Sequence, residues 1–336
     1  MDNPFYLFSD ATRNVIVERF HICSWDFRNK TSLIEFGVEI NQTSVDSTIK
    51  NFTLNLYIPW LKADCVITDF YNRLIDLNNS KFIFNDVSIG RDVFDEDGGK
   101  TGGIQKFKVR ENIVLLPFQH KINENVLRID LNLVDYQKQR TDESKENLYF
   151  RFSIETKKRE SIAVKKSGIN KSTFLYDLKV NERRNLPEGV SAKFPCKINS
   201  VFYFNIVPND FNLNFFDSKV LKNIRTLEYQ GFSKYLSDGR VKADDLVVVS
   251  SKISKQDSYS FFIVYSNEIV GVGVLAIALL LNLLSGILLF LPALRGDKFD
   301  HDLFNLPIEL YIAIGIWLLV FSYFLIKRIK PNWIKW

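Results

Sequence analysis

The chain of 336 residues holds three cysteines (Cys23, Cys65, Cys196) and three histidines (His21, His120, His301). Only His21 and Cys23 stand two positions apart, a spacing that places both side chains on one face of a strand. A structural zinc ion needs four such ligands, and no second cluster completes the set, so the pair reads as part of a core. The three thiols are widely spaced and fit reduced, buried side chains rather than a disulfide framework. The run Asp95-Glu96-Asp97-Gly98-Gly99-Lys100-Thr101 has the flavour of a phosphate loop, but Phe94 stands where the first glycine of such a loop would be. Its acids also miss the calcium-loop spacing. It reads as a glycine-rich hairpin turn. No sequence pattern pairs a nucleophile with a base, including the G-x-S-x-G, H-E-x-x-H and C-x-x-C patterns. The expectation is a protein that is not an enzyme and uses neither metal nor cofactor.

Two other constellations could carry function. Residues 157–197 hold eleven Lys or Arg against four acids, so the net charge of +5 is concentrated there and the rest of the chain is slightly acidic. Within that stretch Lys157, Lys158, Arg159, Lys165, Lys166, Lys171, Arg183 and Arg184 are candidate anion or nucleotide ligands, with Phe174 and Tyr176 supplying rings that could stack. A solvated linker, or attraction to anionic lipid headgroups, would use the same charges. The second constellation is a stripe of small and polar residues, Gly271, Ala278, Asn282 and Ser285, at steps that keep them on one helical face. It lies inside the uncharged run 269–294. Asn282 then faces another helix or an aqueous path, and Glu309 could join an acidic outer ring.

The elements that must hold these residues follow from hydropathy. The run 269–294 exceeds the 20 residues or so that cross a hydrocarbon core, and a second apolar run covers 306–326. Too few residues separate them for a domain, so they predict a two-helix transmembrane hairpin over 268–328. Basic residues outside the hairpin place both termini in the cytoplasm, with a short extracytoplasmic loop about 295–305 and a basic tail 329–336. The N-terminus lacks a basic region followed by an apolar stretch, so export of the preceding residues is not expected.

Those preceding residues read mainly as strands. Ile34, Phe36, Val38 and Ile40 alternate with polar or small residues, as do Phe52–Ile58, Leu127–Leu133 and Leu148–Ile154, the pattern of half-buried strands. The expected fold is a mainly β soluble region, an antiparallel β-sandwich over 1–156, with one helix over Ala63–Asn79. After the basic segment 157–197 comes a small α+β juxtamembrane module over 198–267. It is expected to contain a strand from Ser200, an amphipathic helix over Ser218–Leu236, and strands at Leu246–Ser250 and Tyr259–Tyr265.

This layout resembles the membrane effectors of bacterial anti-phage defence systems such as CBASS and Hailong, in which a sensing domain is joined to a short membrane bundle. The resemblance covers the whole chain at the level of layout. It implies a homo-oligomeric ion channel or membrane-disrupting effector in the inner membrane. Gating would come from a nucleotide, a short nucleic acid or a regulatory protein partner acting on the β-rich region. The alternative reading is a membrane-anchored binding or scaffold protein whose hairpin only localises it.

Overall fold

The computed structural model describes residues 4–10, 15–28, 31–95, 100–141, 144–156, 163–167, 171–184, 186–242, 245–268, 272–296 and 308–329. In chain order the strands are β1 (Pro4–Phe8), β2 (Ile16–Asp26), β3 (Ser32–Ile40), β4 (Asn51–Tyr57), β5 (Ile67–Asp69), β6 (Ser88–Val93), β7 (Gly103–Phe107), β8 (Ile113–Leu115), β9 (Gln119–Asn123), β10 (Val126–Asn132), β11 (Asn147–Thr156), β12 (Val164–Ser167), β13 (Lys171–Val180), β14 (Lys197–Ile198), β15 (Ser200–Pro208), β16 (Asn212–Phe216), β17 (Leu221–Thr226), β18 (Leu246–Ser254) and β19 (Tyr259–Glu268). The helices are α1 (Tyr71–Leu74), α2 (Leu77–Phe84), α3 (Val134–Gln139), α4 (Glu188–Ser191), α5 (Tyr229–Leu236), α6 (Val272–Arg295) and α7 (Ile308–Ile329).

Among the described residues the strands form two large mixed sheets rather than an antiparallel sandwich with a separate module. One has eight strands, running β16-β19-β13-β1-β4-β10-β9 with β12 beside β13. The other has eleven, running β17-β18-β15-β2-β3-β11-β8-β7-β6 with β14 beside β2 and β5 beside β11. Strands from late in the chain enter both sheets next to the earliest ones: β13 runs parallel to β1, and β15 runs parallel to β2. The expected antiparallel topology and the α+β module are thereby corrected. Parallel neighbours need long crossovers, which leave no hairpin signal in the sequence.

The chain divides into two compact units, 1–165 with 174–265, and 166–173 with 266–336. In the first, one core combines residues from both sheets, including Phe5 and Leu54 of the smaller and Phe36, Phe152 and Val201 of the larger. A second core joins Cys23, Trp25, Leu33 and Tyr149 of the larger sheet to Phe70, Leu74, Phe84 and Tyr235 from α1, α2, α5 and their approach. Every residue of β3 is consequently buried. Two segments depart from the helical periodicity. Within Ala63–Asn79 the backbone forms β5 and α1 before α2 begins. Within Ser218–Leu236 the chain pairs as edge strand β17 on β18 before α5 starts at Tyr229. Strand pairing overrides the helical spacing of Val220, Leu221 and Ile224.

Asp69 closes β5 and accepts the backbone N–H groups of Tyr71 at 2.8 Å and Phe118 at 3.3 Å. Burial outweighs these bonds and pushes its carboxyl up to about 6. Because the folded value lies above the unfolded one, the proton is bound more tightly by the folded chain. Stability from this group is complete below about pH 4 and is lost as pH rises through about 6. Asp69→Asn keeps one of the two acceptor oxygens, gives up the other, and removes the titration. Urea midpoints measured from pH 4 to 7 are expected to lose one component of their decline in that variant; an unchanged profile would locate the titration elsewhere.

The second unit carries α6 and α7. Among the described residues no helix is long and apolar enough to cross a membrane. This overturns the transmembrane hairpin over 268–328, the ion-channel reading built on it, and the inner-membrane location with cytoplasmic termini. The expected loop about 295–305 falls mostly, and the tail 329–336 almost wholly, outside the described residues.

Candidate anion-binding cleft

A cleft of about 620 Å³ opens in the first unit where the end of β13, the β16–β17 connection and the β18–β19 turn meet. Four cations line it, Lys179, Arg184, Lys219 and Lys252, against two carboxylates, Glu182 and Asp217. Sheet topology explains the convergence. β13 delivers Lys179 as it ends, β18 delivers Lys252 near its last residues, and the short crossing from β16 to β17 delivers Lys219. Hydroxyls of Ser254, Ser258 and Ser260 and the amide of Gln256 complete the wall.

The cations are not equivalent. Lys179 lies 3.2 Å and Arg184 2.7 Å from Glu182. Burial would raise the Glu182 carboxyl, but the hydrogen bonds from Lys179 and Arg184 prevail and hold it below its ordinary value. Among the described residues neither Lys219 nor Lys252 is ion-paired with a carboxylate. The Lys252 ammonium sits 5.0 Å from the centre of the Phe202 ring, and Lys222 lies 5.8 Å from the same ring. Phe202 and Lys252 are directly opposed on β15 and β18. A cation over an aromatic face is attracted by the ring quadrupole, so Phe202 restrains Lys252 without neutralising it. The turn itself holds Lys255 in the left-handed region at φ 59°. Its N–H donates to the carbonyl of Asn199 at 2.9 Å, which anchors the rim.

The sequence candidates are dispersed. Lys157, Lys158 and Arg159 lie outside the described residues. Lys165 belongs to the first unit, 5.8 Å from the Phe174 ring, whereas Lys166 and Lys171 are exposed in the second. Arg183 is exposed on the surface facing Tyr6. Of the five proposed anion ligands among the described residues, only Arg184 lines the cleft. Lys219 and Lys252 were missed because neither lies in a dense basic run, and only the pairing of β17 and β18 brings them together.

The helical candidates separate as well. Gly271 lies outside the described residues, and Ala278 and Asn282 are exposed. The Ser285 hydroxyl accepts a hydrogen bond from the Trp317 indole of α7 at 3.0 Å. Glu309 is buried and pairs with Arg295 at 2.6 Å. Leu279, Leu280, Leu283, Leu284 and Ile287 on α6 and Ile312, Leu318 and Leu319 on α7 stand exposed.

His21 and Cys23 lie within a buried polar cluster on the larger sheet. Burial, then Arg151, Arg19 and Arg110, hold the imidazole well below its usual value. The Cys23 thiol, 3.1 Å from Arg151, is pushed up to about 12, chiefly by burial. A thiol so disfavoured as thiolate is a poor nucleophile or metal ligand. Among the described residues no group of three or more His, Cys, Asp or Glu side chains is placed to hold a metal ion.

No protein-family model matches the chain, and no curated protein matches its sequence.

Proposed function

We propose that this protein is a ligand-responsive binding protein, not an enzyme, whose β-rich unit takes a phosphate-bearing anion such as a nucleotide or short nucleic acid in the cleft. The observation that carries this reading is the pair of uncompensated ammonium groups, Lys219 and Lys252, set among hydroxyl and amide donors. Phosphate oxygens match that donor set, and Arg184 can offer planar donors beside them. Strand β19 begins at the cleft rim with Tyr259 and ends three residues before α6. A change at the rim therefore has a short covalent path to the helices. Exposed apolar side chains on α6 and α7 are the kind of surface that marks an interaction site, and self-association through them is the proposed output.

Titration of the full chain with ATP and with inorganic tripolyphosphate by calorimetry tests the cleft. Lys219→Glu combined with Lys252→Glu is expected to weaken binding at least tenfold, and raised salt is expected to weaken the wild type. Equal affinity in wild type and variant would remove the cleft from consideration, and steady turnover of ATP would overturn the non-enzymatic reading. Light scattering with and without ligand tests assembly, and Leu283→Glu is expected to lower the association state. Recovery of the protein in an alkali-resistant membrane fraction would overturn self-association as the purpose of the apolar helices.

A further inference from the structure

The interior of the first unit contains a polar cluster that the cleft does not use. Ser24 and Asp26 of β2, Ser32 of β3, Tyr176 of β13, Tyr203 and Asn205 of β15 and Tyr265 of β19 are all buried. Most of its groups satisfy one another. Ser32 donates to Asp26 at 2.7 Å and the Tyr176 hydroxyl donates to the other oxygen of that carboxylate. The Asn205 amide nitrogen donates to Ser24 at 2.7 Å and to the Tyr203 hydroxyl at 2.8 Å. Two atoms stand apart: the Asn205 Oδ1 and the Tyr265 hydroxyl have no hydrogen-bond partner among the described residues. Asn205 is 0% and Tyr265 1% exposed, so bulk water does not reach either.

Both atoms belong to one neighbourhood. The Tyr265 ring meets the Tyr176 ring edge-on at 5.6 Å, and Tyr176 is bonded to Asp26. Tyr203, which accepts from Asn205, lies near enough to Tyr265 to act on its hydroxyl electrostatically. One atom is an obligate acceptor and the other a ready donor. Two complementary groups left bare in one interior are the usual sign of a bound water, because an unmet buried polar atom is costly and a water with two to four polar partners relieves it.

We propose that a single ordered water molecule is bound here, accepting from the Tyr265 hydroxyl and donating to Asn205 Oδ1. It ties β19 of the eight-stranded sheet to β15 of the eleven-stranded one. It thereby fixes the strand that leads from the cleft rim toward α6. The site is independent of what the cleft binds.

A crystal structure of the full chain at better than about 2 Å tests this, with a solvent peak expected within about 3.2 Å of both atoms. In solution, Tyr265→Phe removes the donor while keeping the ring. It is expected to melt about 2–4 °C below the wild type, since the water then loses a partner and Asn205 its bridge. No solvent peak at that position would overturn the proposal. So would a Tyr265→Phe variant that melts at or above the wild-type temperature, because a hydroxyl that bonds nothing is better replaced by hydrogen. Should the variant not fold, the solvent peak alone decides.

Discussion

Arg151→Met is expected to cost about 3–5 kcal/mol, a large fraction of the roughly 5–15 kcal/mol by which an ordinary domain is stable. Glu35 is completely buried on β3, and two guanidinium N–H groups of Arg151 on β11 hold its Oε2 at 2.6 and 2.9 Å. The Tyr235 hydroxyl of α5 donates to the same oxygen at 3.1 Å. Removing the arginine leaves a buried carboxylate with one weak donor, and the penalty is that of an unpaired charge rather than of a lost contact. Adding Glu35→Gln to Arg151→Met is therefore expected to recover part of the loss. Urea unfolding of the two single variants and the double provides the cycle. Independent, additive losses would mean that the two side chains are not energetically coupled.

Gly231→Ala is the second large effect, and its sign runs against helix propensity. Alanine in a helix interior is favoured over glycine by about 1 kcal/mol. At Gly231 of α5, however, a Cβ would stand 2.3 to 2.6 Å from three atoms of the Phe82 ring on α2. Phe232 packs 5.9 Å from the ring and Lys81 lies over its face, so withdrawal of the ring disturbs both contacts. Overpacking of this kind costs about 1–3 kcal/mol or more, so the net change is destabilising. Phe82→Leu opens the space and is expected to rescue Gly231→Ala, turning the alanine into a neutral or stabilising change in that background. A thermal melt of the three variants settles it; a Gly231→Ala protein at least as stable as the wild type would show that α5 moves freely on α2.

What the sequence revealed of this fold depended on which face of each strand was read. The alternation of Ile34, Phe36, Val38 and Ile40 located β3, and similar patterns located β4, β10 and β11. The intervening Glu35, Gly37 and Glu39 imply a solvated face, yet Glu35 and Glu39 are buried. They pair with Arg151 and with Arg110 and Arg19, cations distant in sequence. Gly37 is small for the same reason, since a Cβ there would meet the Tyr149 hydroxyl at 2.4 Å. A polar residue opposite an aliphatic one signals either water or a buried partner, and only the tertiary fold distinguishes them. The cleft was illegible for a related reason. Local charge density pointed to 157–197, but an anion site needs convergence, and Lys219 and Lys252 converge through strand pairing while Lys166 and Lys171 do not. Apolar length at 269–294 likewise suggested a span, whereas the described helices fall short of one.

The placement of β1 and β2 bears on how the chain is made. β1 lies between β4 and β13, and β2 between β3 and β15. During synthesis these two strands therefore wait for partners encoded well over a hundred residues later. Until β15 has emerged, a nascent chain presents open strand edges where the mature protein has a continuous sheet. Such edges invite pairing with other chains, and sheets built from distant segments close slowly. Synthesis rate and chaperone occupancy, rather than final stability alone, should therefore limit the yield of this protein, and a stretch ending near residue 156 would lack the β13 and β15 partners of β1 and β2.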